Sequence, residues 1–146
     1  MRNASAVVMS AVEGLADEAV IRRLIEHVGG VPGPTRGKKG KHELLQCLGG
    51  YNRAARHVPW VVLVDLDLEA DCAPLAKEQW LPEPEEGMRL RVVVSEIGSR
   101  RGVGPAYASR VIEFAGAFWR PDVAADRADS LRRCLHRLSE LVAATP

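Results

Sequence analysis

Cysteine is scarce and poorly placed for cross-linking. Cys47, Cys72 and Cys134 are far apart, odd in number and without Cys-x-x-Cys spacing, which argues against a disulfide framework and a thiolate zinc site and fits reduced thiols in a cytoplasmic protein. Charge of one sign is lacking too: 20 basic against 19 acidic residues leave a net charge of +1, so global electrostatics select neither nucleic acid nor an anionic membrane. No apolar run approaches the roughly 20 residues needed to cross a bilayer. The apolar stretch 6–12 is short and runs into Glu13 and Asp17 without a cleavage-like ending, so it reads as a strand, not a signal peptide. Residues 33–38 lack the GxxxxGK[ST] spacing, and Gly40-Lys41 is followed by His42, which removes a P-loop and its ATP chemistry. Internal repeats and low-complexity tracts are absent.

What is present suffices for one core, since 146 residues with 47% hydrophobic content leave little material for a second. Residues 6–12 and Trp60-Val61-Val62-Leu63-Val64 are short apolar runs of the kind found in strands buried on both faces. Leu90-Arg91-Val92-Val93-Val94 supplies the last strand, after a linker at 82–87. Val20, Ile21, Leu24, Ile25 and Val28 form a helical stripe that ends at Gly29-Gly30, with Asp17 and Glu18 suited to its first turn. Residues 31–40, rich in Pro, Gly and basic side chains, mark a second strand only poorly. Leu44, Leu45, Leu48, Tyr51 and Ala55 predict a helix weakened at Gly49-Gly50, each glycine costing about 1 kcal/mol against alanine. Residues 72–80 supply a further short helix, with Asp71 as its N-cap. Beyond a glycine-rich joint at 98–104, Tyr107, Val111, Phe114, Ala115 and Phe118 predict one helix. Leu131, Cys134, Leu135, Leu138 and Leu141 predict another, with Pro121 at its start. The alternation implies an α/β fold with parallel strands and right-handed crossovers.

Acidic residues stand at the ends of the two strongest strands: Glu13 after the first, Asp65-Leu66-Asp67 after the third. Open α/β sheets gather functional groups at the carboxyl ends of their strands. If the two strands are neighbours, three carboxylates share one region. Two like charges about 5 Å apart repel by roughly 3 kcal/mol at an effective dielectric near 20, a cost that a divalent cation removes. Oxygen donors suit Mg²⁺, with Mn²⁺ as a substitute, whereas zinc prefers His or Cys. Glu69 and Asp71 read as solvated or capping residues.

Val12-Glu13-Gly14 with Asp17-Glu18, followed by Val62-Leu63-Val64-Asp65-Leu66-Asp67, resembles the Toprim domain of topoisomerases, DnaG-type primases, OLD-family nucleases and recombination proteins. The likeness is nearest to a bacterial group of small Toprim-like proteins often paired with ATPases in phage-defence modules. It extends through Gly37-Lys38-Lys39-Gly40-Lys41, Gly104-Pro105-Ala106-Tyr107, Trp119-Arg120-Pro121 and Ser130-Leu131. The resemblance implies a three-layer fold with a mainly parallel sheet of about four strands, a core over 1–96, and a C-terminal helical pair over 97–146 packed on it. It implies Glu13 as general acid or base, Asp65 and Asp67 as Mg²⁺ ligands, and phosphodiester cleavage or transfer on DNA or RNA. At one place the chain departs from the group: Ser95-Glu96-Ile97 passes directly into Gly98, where relatives continue through a Glu-rich motif with a Trp and a helical segment. Glu96 is therefore either a further acid at the metal or a surface residue.

Arg36, Lys38, Lys39 and Lys41 read as the loop leading to the second helix, and parallel topology places them near the acidic edge, suited to nucleic-acid phosphates. Arg100, Arg101, Arg132, Arg133 and Arg137 invite the same reading more weakly. His57 reads as a helix-end residue, and Phe114, Phe118 and Trp119 as core or as a homodimer contact. The expected function is a Mg²⁺-dependent nuclease. The alternative is a non-catalytic subunit that binds a partner ATPase or nucleic acid. A receiver-type signalling domain would need an acidic pair after the first strand and a later lysine, neither of which is found.

Overall fold

The computed structural model describes residues 5–66, 72–94, 113, 115, 119–126 and 129–145. Four strands, β1 (Val7–Val12), β2 (Val31–Gly37), β3 (Trp60–Leu66) and β4 (Met88–Val94), form one sheet in the order β2-β1-β3-β4. Every neighbouring pair is parallel. Between them run α1 (Leu15–His27), α2 (Lys41–Ala54) and α3 (Ala73–Trp80), and the chain closes with α4 (Pro121–Ala125) and α5 (Asp129–Ala143). The β1-α1-β2 crossover runs one way along the sheet and β2-α2-β3 runs back. Right-handed connections must therefore put α1 and α2 on opposite faces.

Strand alternation divides the core accordingly. Val8, Val12, Val61 and Leu63 pack with Ile21, Leu24 and Ile25 of α1 and Cys134, Leu138 and Leu141 of α5. Ala11, Trp60, Val62, Val64 and Leu90 pack with Leu44 and Leu48 of α2 on the other face, where Trp80 and Leu81 at the end of α3 join them. Helices thus cover both faces of a parallel sheet, and α5 is part of the core.

Three elements differ from expectation. β2 is a full seven-residue strand despite Val-Pro-Gly-Pro-Thr-Arg-Gly. It lies at the sheet edge, where a proline without an N–H removes no ladder bond when its nitrogen faces outward. A register shift between Val8 and Ser10 absorbs the irregularity. Arg36 consequently sits on a strand, not in a loop. Secondly, α2 runs unbroken through Gly49-Gly50. Buried Leu44 and Leu48, the stacking of Tyr51 on Trp60 at 4.8 Å, and Asn52 bonded to Glu83 and Glu85 hold it against the glycine cost. Thirdly, Pro121 does take a first-turn position, but in the short helix α4, separate from α5, and Cys72 rather than Asp71 is the N-cap of α3. The helix expected around Tyr107 to Phe118 lies outside the described residues, apart from helical Glu113 and Ala115.

The end of α1 follows the Gly29-Gly30 signal. Gly29 adopts φ +87°, its N–H donates to Glu26 O and the Gly30 N–H to Ile25 O, the paired bonds of a Schellman stop. Val31 then donates to Ala6 O and enters β2.

Candidate functional site

Strand order reverses direction between β1 and β3, so the carboxyl ends of these two strands flank the topological switch point where open α/β sheets leave a crevice. The Trp60 N–H donates to Gly87 O on the β4 side. Alternation therefore turns the amides of Val61, Leu63 and Asp65 toward β1. The described β1–β3 register ends at Ala11 opposite Val62. Beyond it the Asp65 N–H donates to Glu13 Oε2 at 2.6 Å. The Glu13 carboxylate stands in for a missing backbone carbonyl and ties together the two strand ends that 52 residues separate.

Burial pushes the Glu13 carboxyl above its ordinary value of 4.5, and the charges of Asp65 and Asp17 push the same way; the Asp65 N–H and Lys41 partly offset them. Asp17 is also raised, first by burial and then by the charge of Asp65, against a lowering bond from the Gly14 N–H. Glu13, Asp17 and Asp65 thus form one mutually repelling group. Asp17 also stands at the third helical position of α1, after the N-cap Gly14, where the helix dipole favours an acid.

A tightly curled basic loop borders the acids. Gly37, Lys38 and Gly40 have φ of +81°, +70° and +91°. The Lys38 N–H donates to Val12 O at 2.8 Å and the Gly40 N–H to Glu13 O at 3.0 Å. The loop is therefore stitched to the strand end that carries Glu13. It brings Lys41 within electrostatic reach of Glu13, while Lys38 pairs with Glu18 at 3.2 Å and exposed Lys39 approaches Glu43 at 3.8 Å.

Of the residues expected to act together, the structure joins Glu13 with Asp65 and brings Lys38, Lys39 and Lys41 to their border. Arg36 lies behind them on β2, where its charge is felt by Tyr51. Asp67 and Glu96 lie outside the described residues. Among the described residues no three His, Cys, Asp or Glu side chains converge as metal ligands. Asp17 is the member that sequence reasoning passed over, because an acid in a first helical turn already has an explanation in the helix dipole. Its place in the Glu13-Gly14…Asp17-Glu18 stretch that resembles the Toprim motif was the available signal.

Oxygen donors and negative charge are what a hard divalent cation takes, although among the described residues they do not converge as a three-ligand set. The group offers carboxylate oxygens only, and Glu13 and Asp17 are both raised by burial and by neighbouring negative charge. Two concavities lie elsewhere. One of about 440 Å³ at the amino edge includes His57 and Arg89, and one of about 880 Å³ lies between α1, α3 and α5. No helix among the described residues is long and apolar enough to cross a membrane. Comparison with protein-family models, curated proteins and solved structures returns no match.

Proposed function

We propose that this chain is a Toprim-like, Mg²⁺-dependent phosphodiesterase acting on DNA or RNA. The observation that carries the reading is the Glu13–Asp65 contact across the switch point, with Asp17 and Lys41 coupled to it. A bound Mg²⁺ would supply neutralising charge and polarise a phosphate oxygen. Glu13, a half-buried carboxyl at the strand end, suits proton transfer: it would take the proton from water attacking phosphorus, or give one to the leaving oxygen. Asp65 and Asp67 would hold the ion. Lys38, Lys39 and Lys41 would hold flanking phosphates against the repulsion of the acids.

One observation favours a second reading. Glu13 already has a structural occupation, holding the Asp65 amide, and needs no reaction to explain it. A non-catalytic subunit that binds nucleic acid or a partner ATPase, including one in a phage-defence module, would keep this contact.

Cleavage assays on DNA and RNA with Mg²⁺ or Mn²⁺ separate the two. Asp65→Asn preserves the backbone amide and Glu13→Gln preserves an acceptor oxygen, so each changes charge with little change of shape. Catalysis predicts loss of cleavage in both. Robust cleavage by both variants would sink the assignment. Absence of cleavage in the parent chain, with metal-dependent heat retained in calorimetry, selects the binding subunit.

A further inference from the structure

The cleft of about 880 Å³ lies on the α1/α5 face of the sheet, toward β4, and its volume is in the range of small-ligand pockets. Its floor is apolar, formed by Leu24, Leu63 and Trp119, and its wall is cationic, with Lys77 from α3, Arg91 from β4, and Arg133 and Arg137 from α5. Strand alternation makes Arg91 notable. It pairs in register with buried Leu63 and so occupies a position facing the helical layer, where an apolar side chain would be expected.

The cations are not balanced. Glu140 is the only carboxylate among the described residues lining the cleft, and it is shared by His136 at 3.0 Å and Arg137 at 3.3 Å. Among the described residues no carboxylate lies within ion-pair distance of Lys77, Arg91 or Arg133. Burial, followed by the charges of Arg91, Arg137 and Arg133, holds the Lys77 ammonium below its ordinary value. Cys134, at the same wall, gives no counter-charge. Burial raises its thiol above 9.0 despite Arg91, so it stays neutral near pH 7.

We propose that this cleft binds an organic phosphate, with the phosphate held by Lys77, Arg91 and Arg133 and the organic body lying on Leu24, Leu63 and Trp119. The cations that lack a carboxylate among the described residues exceed what one carboxylate would neutralise, whereas a phosphate monoester carries nearly two charges and offers oxygens in the geometry that guanidinium forks accept. The apolar floor gives a reason for an organic body beyond the bare anion. None of these residues belongs to the acidic site, so this binding can fail while the phosphodiesterase reading stands, and the reverse.

The test uses the full chain in metal-free buffer, with calorimetry and thermal unfolding in pyrophosphate, AMP or a short single-stranded oligonucleotide. AMP is expected to bind more tightly than pyrophosphate and to raise the unfolding midpoint. Lys77→Gln and Arg133→Gln should each weaken it by roughly tenfold, the loss of one charge-assisted contact. Arg133 is exposed, so its variant tests the site even if Lys77→Gln folds poorly. Arg132→Gln, which removes an exposed charge paired with Asp129 outside the cleft, should change nothing. Pyrophosphate binding as tightly as AMP would overturn the role of the apolar floor. Binding of the oligonucleotide that falls with Lys77→Gln and Arg133→Gln would identify a nucleic-acid phosphate as the source. No binding of any of the three, or equal affinities in Arg133→Gln and Arg132→Gln, would overturn the proposal.

Discussion

Asp17 carries two opposed demands in one side chain. Its place at the N-terminal end of α1 helps start the helix, while burial and the charge of Asp65 make its ionised form costly. Asp17→Asn should keep an acceptor for the cap and remove the charge. Because the folded-state values of Asp17 and Glu13 lie above their ordinary values of 3.8 and 4.5, the folded chain binds more protons than the unfolded one in that window. Their contribution to stability is therefore present at low pH and lost as pH rises through the raised values. Metal-free Asp17→Asn should accordingly unfold at a higher temperature than the parent chain at pH 7, and its advantage should shrink as pH falls into the carboxylate range. Thermal unfolding followed by circular dichroism against pH checks this; a variant less stable than the parent throughout would show that capping outweighs repulsion. Glu13 and Asp65 were legible in the sequence because each ends a strand too apolar to be misread and parallel topology has one edge at which to collect them. Asp17 was not, because a first-turn acid already has an ordinary reason to be there.

For the elements, legibility follows burial. β1 and β3 are covered on both faces, and their continuous apolar runs declare them. β2 is an edge strand in which Pro and Gly replace the usual residues, and what fixes it is pairing with β1, which no local pattern encodes. The loop that leaves β2 depends on backbone shape. A Cβ on Gly37 would meet Val12 O at 2.5 Å, and its φ of +81° disfavours any side chain. Gly40 has a similar φ of +91° but open space around its Cβ direction. Gly40→Ala should cost only the backbone conformation, φ +91° and ψ 169°, which glycine alone adopts readily, about 1–3 kcal/mol. Gly37→Ala should cost more, since strand and loop must also separate. Urea unfolding of the two variants measures the difference. Equal losses would mean that the Val12–Gly37 approach relaxes without cost, and the basic loop would then be less firmly held beside Glu13 than its hydrogen bonds to β1 suggest.

Across the whole molecule, a net charge near zero conceals an acidic edge beside β1 and β3 and a cationic cleft beside β4. The cleft as a whole could not be read from sequence because its cations come from three elements: Arg133 and Arg137 stand out as weak phosphate candidates on the last helix, but nothing local marks Lys77 or Arg91 as their neighbours. Both regions rest on the same core through α5. Cys134, Leu138 and Leu141 share one buried cluster with Val61 and Leu63 of β3, and Leu138 is 1% exposed. An appendage merely docked on a finished domain could loosen without disturbing the sheet; a helix that completes the cover of one sheet face cannot. Leu138→Ala should therefore remove about 2–5 kcal/mol, a large share of the roughly 5–15 kcal/mol that holds a typical domain. Unfolding should remain a single transition. Hydrogen exchange at the Val62 and Val64 amides should accelerate by the full global loss, because those strand residues open only when the molecule does. Unchanged exchange at Val62 and Val64, with faster exchange confined to 129–143, would instead make α5 a separate unit, and would detach the cationic wall of the cleft from the stability of the sheet.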